Sequence, residues 1–304
     1  MSVQKDPGLG VSFQGQVKRI INKDGSYNIV RKGGITGLRD SYKTLINISW
    51  PKFIGLAFIY YLIVNCFFAG LYLMVGLDQL QGVSSAYNDF LNAFFLSIHT
   101  FSSVGFGTIA PTGLWANFIT TIEAFVGFIS IAMITGLLYG RFSMPKSKIR
   151  FSKNIILTKH NGHDAVMFKL VNRRNEILLN SSINVMFTID QKSRELAFQK
   201  NYHRLKLEVD SILFFPLSWT IVHVIDETSP LNTINLQELI DRNGEFIIVI
   251  QCYDQTHQQT IMETHSYGPE DWIEGVKFKR NFSANQKGSI VLHINELDDL
   301  IPLD

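Results

Sequence analysis

SIHTFSSVGFGTIAPTG, residues 97–113, is the stretch of this sequence that decides the fold. At its centre, in SVGFG (103–107), a hydroxyl residue and a β-branched residue precede Gly-aromatic-Gly. A dehydrated cation needs oxygen atoms around it, and backbone carbonyls supply them when an extended chain turns all of them to one side. Gly105 and Gly107 permit the backbone angles that this requires, and the Ser103 hydroxyl adds a further oxygen. One chain supplies a quarter of such a ring, so the segment predicts a four-fold oligomer.

Two long apolar segments flank this stretch. Residues 53–77 contain no Asp, Glu, Lys or Arg, and residues 114–140 contain one, Glu123. At about 1.5 Å per residue each is long enough to cross about 30 Å of hydrocarbon. The sequence therefore predicts two membrane spans, at 51–76 and 114–142, within a pore domain covering 51–145.

A third apolar segment, DFLNAFFLSIHTF (89–101), is too short to be a span and predicts a re-entrant pore helix. Asp89 at its amino end complements the helix dipole. Its carbonyl end would direct partial negative charge at a cation in the membrane centre, where charge is otherwise costly. Glu123 lies in the second span, one turn or more above the central cavity that such a pore would have. We expect it to be a buried carboxylate that is hydrogen-bonded to this helix or to residues 103–107, the filter of the pore.

The distribution of charge predicts the orientation in the membrane. Residues 1–52 carry nine basic and three acidic side chains, and no Lys or Arg follows until Arg141. Basic residues flank the inner ends of spans. Both termini are therefore predicted to be cytoplasmic, with residues 78–113 outside. Cys66 then lies mid-membrane and Cys252 in a cytosolic strand, so no disulfide is expected.

The chain before the first span divides into an amino-terminal segment (1–36) and an amphipathic helix (37–50). Tyr42, Leu45 and Ile46 fall near one helical face, which predicts an interfacial helix along the inner membrane surface. A plain helical extension of the first span is the alternative. Trp50-Pro51 favours a break, because proline suits the first turn of a helix.

Within the second span, Ile131, Thr135 and Tyr139 recur every four residues and therefore share one helical face. If this face lines a cavity, four copies of Tyr139 form a bulky ring at its inner mouth, and the ring can close the pore by excluding water. The alternative is that the same stripe packs against lipid or against the first span.

From residue 146 to residue 304 the pattern changes to period two. INVMFTID (183–190) and HRLKLEVD (203–210) alternate apolar and polar residues, whereas FIIVIQCYD (246–254) is a continuous apolar run typical of a strand buried on both faces. Turn clusters separate these runs. Many short strands at near-regular spacing predict an antiparallel β-sandwich.

The sequence resembles the prokaryotic inward-rectifier potassium channel family over nearly its whole length. The resemblance lies in DGSYNIVRKG, SWPKF, SVGFG, EAFVGFISIAMITGLLYGRFSMPK and FPLSWTIVHVIDETSPL. It implies a homotetramer in the inner (plasma) membrane of a bacterium, with membrane α-helices followed by an immunoglobulin-like, all-β cytoplasmic domain. It implies K⁺ as the permeant ion.

The resemblance also assigns roles to residues of the pore. The filter corresponds to Ser103, Val104, Gly105, Phe106 and Gly107, with K⁺ held at the first four of these. Ser103 replaces the family's usual Thr, and Phe106 its more frequent Tyr. His99 stands where many members have a pore-helix Glu. Ile131 matches a cavity position that is acidic in strong rectifiers, which implies weak rectification, and Tyr139 matches the bundle crossing.

Further roles lie at the membrane surface and in the β domain. The resemblance and the basic charge together predict an anionic-lipid site formed by Arg39, Lys43, Arg141, Lys146 and Lys148. The alternative is that these residues only fix the topology. A cytoplasmic constriction is implied at Gln258, Gln259 and Thr260.

No enzyme, cofactor or nucleic-acid partner is expected. His160-x-x-His163 could ligate a metal, but it lies in a Gly-containing turn without a third ligand close in the sequence. Two rival functions remain. One is a poorly selective monovalent-cation channel, suggested by Ser103 and Phe106. The other is a non-conducting membrane sensor whose β domain binds a ligand.

Overall fold

The computed structural model describes residues 7–10, 12–14, 19–30, 32–33, 38–144, 148–191 and 197–303, without the side chains of 12–14, 38–40 and 197–198. The chain divides into two compact units. One is Gly33–Met144, and the other combines Met1–Lys32 with Pro145–Asp304. Each unit is described by itself.

Four helices form the unit Gly33–Met144. They are α1 (Leu38–Asn47), α2 (Trp50–Val75), α3 (Asp89–Phe101) and α4 (Leu114–Ser143), with a short 3₁₀ turn at Leu77–Gln79 and a two-stranded bridge of β2 (Leu80–Gln81) and β3 (Ala110–Pro111). The helices α2 and α4 occupy the predicted spans, α3 the predicted pore helix, and α1 the predicted interfacial helix. By length and composition, α2 and α4 can each cross a membrane.

A break separates α1 from α2, so α1 is not a plain helical extension of the first predicted span. Ser49 has extended backbone angles (φ −62°, ψ 152°), and Pro51 occupies the first turn of α2. Proline is suited to that position because its nitrogen needs no hydrogen-bond acceptor there.

The helices α2, α3 and α4 share a small apolar core made by Phe68, Ala69, Tyr72, Leu80, Ala93, Leu96 and Ala116. Gly127 lets α4 lie directly against the end of α3, because a Cβ at this position would collide with the carbonyl oxygen of Phe101. Large apolar side chains such as Phe58, Phe125 and Phe128 remain more than half exposed on the single chain. Such a surface is suited to lipid or to neighbouring subunits.

The other unit is built mainly from strands. They are β1 (Ser12–Gln14), β4 (Ile149–Phe151), β5 (Ile155–His160), β6 (His163–Asn172), β7 (Leu178–Asp190), β8 (Ala197–Arg204), β9 (Ser211–Phe215), β10 (Trp219–Val224), β11 (Glu245–Asp254), β12 (Gln259–Tyr267), β13 (Trp272–Glu274), β14 (Val276–Phe278), β15 (Phe282–Ala284), β16 (Ile290–Leu292) and β17 (Leu300–Pro302). Helix α5 (Leu236–Asp241) and 3₁₀ turns at Pro269–Asp271 and Ile294–Asp298 complete it.

Two sheets enclose the core of this unit. One has the order β1-β8-β7-β11-β12, with β9 also paired to β7, and the other has the order β10-β6-β5-β13, with β4 paired to β6. Phe187 and Ile248 from the first sheet and Phe168 and Ile221 from the second belong to one buried cluster. The two sheets therefore form the predicted sandwich.

Three details differ from the sequence expectation. Strand β8 ends at Arg204, so HRLKLEVD is not a strand, and Val209 is exposed. Strand β13 pairs with β5 in parallel, which makes the sandwich mixed. In β11 only the first half is buried on both faces, because Gln251 and Tyr253 are exposed. The outer face of that first half is covered: Ile247 packs with Ile20 and Ile21.

Residues 19–30 of the amino-terminal segment dock on the sandwich through polar groups as well. The Glu245 carboxylate accepts hydrogen bonds from the backbone amides of Ile20 (3.0 Å) and Ile21 (3.2 Å). The Asp271 carboxylate accepts bonds from Arg19 (2.6 Å) and Lys23. Because these carboxylates are buried, the contacts hold the segment in one register.

Two titratable groups at this docking surface have shifted pKa values. Burial lowers the pKa of His265 to about 4, and nearby Arg19 and Lys23 act in the same direction. Burial alone would raise the pKa of Asp271, but hydrogen bonds from Lys23, the Gly268 amide and Arg19 lower it below its usual value. His265 stacks on Phe151 at 4.5 Å and bonds to the Lys23 carbonyl oxygen at 3.1 Å through Nδ1.

We expect acid to loosen the docking of the amino-terminal segment. An unfolded histidine titrates at about 6.5. The folded pKa of His265 is lower, so its stabilising effect is complete above pH 6.5 and is lost as pH falls toward 4. The loss is about 2 to 3 kcal/mol. Protonation of Asp271 weakens the docking only at lower pH. Its lowered pKa keeps the carboxylate ionised until the pH falls below 3.8, the pKa in the unfolded chain.

Hydrogen exchange of residues 19–30 between pH 7 and pH 4, corrected for intrinsic rates, measures this loss. His265→Phe keeps an aromatic ring against Phe151 but cannot be protonated, so its exchange should change much less with pH across this range than that of the wild type. Equal pH dependence in the wild type and in this variant would contradict the assignment to His265.

Candidate functional site

The filter segment follows directly from the end of α3. Ser103 (φ 56°), Gly105 (φ 54°) and Gly107 (φ 76°) all have left-handed backbone angles, and they alternate with Val104 and Phe106. Alternation of left- and right-handed residues turns successive carbonyls toward one side, which an ordinary strand cannot do. The two glycines adopt these angles without a Cβ penalty, and Ser103 is the one residue of the three that bears the cost.

Contacts with α3 fix the start of the filter segment. The carbonyl oxygen of His99 accepts the backbone amides of both Val104 and Gly105 at 3.1 Å, and that of Thr100 accepts the Ser103 amide at 3.0 Å. The His99 ring meets the Phe106 ring edge-on at 4.9 Å. The amides of Ser103, Val104 and Gly105 are thereby bonded to carbonyl oxygens at the end of α3, so these three donors are satisfied within the protein.

Glu123 lies at the centre of a buried polar cluster that joins α2, α3 and α4. The residue is fully buried, and its two carboxyl oxygens accept hydrogen bonds from Ser97 on α3 and from Tyr72 on α2 (2.6 Å). Ser97 Oγ lies 2.9 Å from Asn65 Oδ1 of α2 as well, and the Tyr72 hydroxyl lies 2.9 Å from Thr120 Oγ1. Within a membrane these groups cannot bond to water, so the cluster ties α2, α3 and α4 together.

A second set of bonds holds the chain between the filter segment and α4. The Gln79 carbonyl oxygen accepts the amides of Thr112 (2.8 Å) and Gly113 (3.1 Å), and Gln79 Oε1 accepts the amide of Ala116 (3.2 Å). These contacts connect the chain after α2 with the first turn of α4. The filter segment is therefore anchored at both ends. Sequence reasoning missed Gln79, since an exposed-looking Gln in a loop carries no distinguishing pattern.

The predicted cavity face lies along the later half of α4. Ile131 (45% exposed) and Tyr139 (74% exposed) are open on the single chain, and so is Thr135 between them. Next to Thr135, a methyl group added at Gly136 would have no atom within 4 Å. The stripe is therefore not packed against α2 of its own chain and is available to a cavity, to lipid or to other subunits.

Arg141, two residues beyond Tyr139, is bonded to the end of α1. Its guanidinium donates to the carbonyl oxygens of Leu45 (2.5 Å), Ile46 (2.9 Å) and Ile48 (2.7 Å). The group also lies 4.6 Å from the ring centroids of both Trp50 and Phe53.

The structure describes only some of the other residues that were predicted to contact lipid. Lys43 and Lys148 are exposed. Lys146 lies outside the described residues, and so does the side chain of Arg39.

The residues predicted to form the constriction lie where β11 turns into β12. Gln258 is in the turn, and Gln259 and Thr260 are the first two residues of β12. Gln258 has a left-handed backbone (φ 53°), and Gln259 and Thr260 are exposed. Asp254 holds the turn, because its carboxylate accepts the Thr256 amide (2.9 Å) and lies 2.9 Å from His257 Nδ1. Burial would raise the pKa of Asp254, but these bonds lower it below its usual range.

Two membrane-capable helices that enclose a short helix and an anchored carbonyl segment, followed by a β-sandwich, define a two-span ion channel. Comparison with known proteins gives the family. The family model described as "Inward rectifier potassium channel C-terminal domain" matches residues 149–303, and the one described as "Ion channel" matches residues 53–143. The chain belongs to the inward rectifier potassium channel family.

Relatives in this family align over nearly the whole chain. Inward rectifier potassium channel Kirbac3.1 of Paramagnetospirillum magnetotacticum is 30% identical over 284 residues, covering 93% of this chain and 95% of that protein. ATP-sensitive inward rectifier potassium channel 10 of Homo sapiens is 24% identical and covers 93% and 81%, respectively. ATP-sensitive inward rectifier potassium channel 15 of Mus musculus is 22% identical and covers 96% and 84%. The family is one of ion channels and not of enzymes.

Proposed function

We propose that four copies of this chain assemble into a pore that conducts K⁺ passively. The observation that carries the proposal is the alternating backbone of Ser103, Gly105 and Gly107. The amides of Ser103, Val104 and Gly105 are bonded to α3, and the carbonyls of the segment are available to a ligand. Four such segments around one axis supply stacked rings of oxygen that replace the hydration shell of the ion. The Ser103 hydroxyl supplies the innermost ring.

The same residues support a proposal for how conduction is controlled. Ile131 places an apolar side chain in the cavity, which cannot hold Mg²⁺ or polyamines by charge, so rectification is weak. Four Tyr139 rings at the inner mouth close the pore by excluding water. The turn that carries Gln258, Gln259 and Thr260 forms a second, cytoplasmic constriction.

We expect Tyr139→Ala to raise the open probability at least about threefold, because removing four rings widens a constriction that closes by dewetting. Single-channel recording in planar bilayers measures this change. Met133→Ala on the same helix is the control, since Met133 is exposed but lies outside the four-residue stripe. Unchanged gating in Tyr139→Ala would contradict the assignment of this residue as the gate.

We propose that the chain lies in the inner membrane of a bacterium with both termini in the cytoplasm, and that anionic lipids regulate it. The excess of Lys and Arg before α2 and after α4 supports the orientation. Lys43 and Lys148 are free to meet headgroups, each contributing about 1 kcal/mol near an anionic surface.

A poorly selective cation channel is the second candidate, because two features of the filter segment favour it. Ser103 lacks the methyl group of Thr, and Phe106 has no hydroxyl with which to bond to its surroundings. The reversal potential in mixed K⁺ and Na⁺ solutions separates the two candidates. A potential that follows the K⁺ gradient alone supports the selective pore, whereas one near zero in opposed K⁺ and Na⁺ gradients would replace it by the non-selective one.

A further inference from the structure

The chain contains two Asn-Gly pairs, Asn161-Gly162 and Asn243-Gly244. In such a pair the backbone nitrogen of the glycine can attack the side-chain carbonyl carbon of the asparagine, because glycine has no side chain that hinders the approach. Both asparagines have left-handed backbone angles, φ 51° at Asn161 and φ 46° at Asn243. The two pairs therefore share their chemistry and differ in their surroundings.

Asn161 and Gly162 form the tip of the hairpin that joins β5 and β6. His160 pairs with His163 on the neighbouring strand, so the turn has only two residues, and Gly162 is also left-handed (φ 86°). Both residues of the turn are exposed. Among the residues described, no carbonyl oxygen accepts the Gly162 amide. This nitrogen is therefore free to react, and an exposed hairpin tip needs little free energy to open locally.

The pair Asn243-Gly244 is held at both reacting atoms. Asn243 Nδ2 donates to Asp190 Oδ2 at 2.8 Å, and the Gly244 amide donates to the Leu239 carbonyl oxygen, also at 2.8 Å. Gly244 is buried as well. Attack at this pair requires that both hydrogen bonds open first, so the second pair serves as a matched control within the same chain.

We propose that Asn161 is a site of spontaneous deamidation and that His160 assists the reaction. The Gly162 nitrogen forms a bond to Asn161 Cγ and loses its proton, while the bond from Cγ to Nδ2 breaks and this nitrogen leaves as ammonia after gaining one proton. Water then opens the cyclic succinimide to aspartate or isoaspartate. The change is a hydrolysis, so it needs no oxidant or reductant.

The His160 ring lies where it can transfer the proton. Its Nε2 is 3.2 Å from Asn161 Nδ2, the nitrogen that leaves, and 3.0 Å from Glu208 Oε2. The contact with the carboxylate orients the ring, and a group that touches the leaving atom can act as its general acid. The product has a carboxylate where the amide was, so two carboxylates then compete for one imidazole.

Peptide mapping by mass spectrometry measures the reaction at both pairs in the full-length protein, incubated in nanodiscs at pH 8 in water enriched in oxygen-18. Each conversion replaces the amide nitrogen by one heavy oxygen atom from the solvent. We expect Asn161 to convert at least about tenfold faster than Asn243, because only the second pair must first open bonded structure. In guanidinium chloride the two pairs should convert at similar rates.

Two variants test the part of His160. His160→Phe keeps a ring at the hairpin tip but cannot give a proton, so conversion of Asn161 should slow at least about threefold. His163→Phe is the matched control, because His163 flanks the same turn and, among the residues described, does not bond to Asn161. Equal conversion of Asn161 and Asn243 in the folded protein would overturn the proposed site. Equal rates at Asn161 in the two variants would overturn the role of His160.

Discussion

Replacing Glu123 by Ala is expected to abolish conduction and to destabilise the folded protein. The change removes the acceptor of both Ser97 and Tyr72 at a site from which water is excluded. Each lost hydrogen bond costs about 1 to 2 kcal/mol in each subunit, and the space left by the side chain adds to this. We expect barium-sensitive rubidium uptake to fall at least about tenfold, because the cluster holds α3, and α3 holds the filter segment.

Two variants serve as controls for this experiment. Glu123→Gln keeps the shape and one oxygen acceptor, so its loss of uptake and of thermal stability should be smaller. Thr121→Ala changes a neighbouring residue of α4 that is exposed and bonds only to the Asn117 carbonyl oxygen within the described residues. It should behave as the wild type. Wild-type uptake and melting temperature in Glu123→Ala would show that the cluster does not support the filter segment.

The second large effect is expected from Gly105→Ala. Gly105 has φ 54°, a left-handed angle that costs a residue with a Cβ about 1 to 2 kcal/mol. No atom lies within 4 Å of the added methyl group in the single chain, so the cost lies in the backbone. Four copies in one pore would each favour rotation of the peptide and take a carbonyl out of its ring. We expect uptake to fall at least about tenfold while the tetramer still assembles.

Gly136→Ala is the matched control, because it adds the same methyl group to a glycine of α4 that also has open space around it and has helical backbone angles. Its uptake should equal that of the wild type. Native mass measurement of both variants distinguishes a lost filter from a lost tetramer. Equal uptake in Gly105→Ala and Gly136→Ala would mean that the left-handed angle at Gly105 is not required for conduction.

Elements could be predicted from the sequence where a local pattern is compatible with one structure only. Two apolar segments of more than about twenty residues, the second with Glu123 as its one charged residue, predict α2 and α4. Gly-Phe-Gly after a short apolar helix predicts the filter segment. A carboxylate in a span must be bonded by protein groups, which is why a pore-helix partner for Glu123 could be expected. The identity of that partner could not be predicted, since Ser97 and Tyr72 come to Glu123 through helix packing and not through any periodicity.

Other contacts could not be predicted from the sequence for related reasons. The distribution of Lys and Arg along the sequence predicted that Arg141 lies at the inner end of α4. Such a distribution predicts the side of the membrane on which a residue lies, but not the groups to which it bonds. The donors of Arg141 are used by α1, which lies 96 residues earlier in the chain at Leu45. The amino-terminal segment is polar and has little pattern, so its docking on Glu245 and Asp271 could not be predicted. That docking also explains why Ile247, on the outer face of β11, is apolar.

A potassium-selective pore is the central proposal for this chain, and rubidium-86 uptake into liposomes that contain the purified protein tests it most directly. Ba²⁺, which has nearly the size of K⁺ and twice its charge, should block the uptake, and excess external Na⁺ should not compete with it. Liposomes are prepared with and without anionic lipid, so that either sign of lipid control is detected. Uptake blocked by Ba²⁺ and indifferent to Na⁺ is the expected result. Uptake that Na⁺ competes away, or none in either kind of liposome, would contradict the proposal.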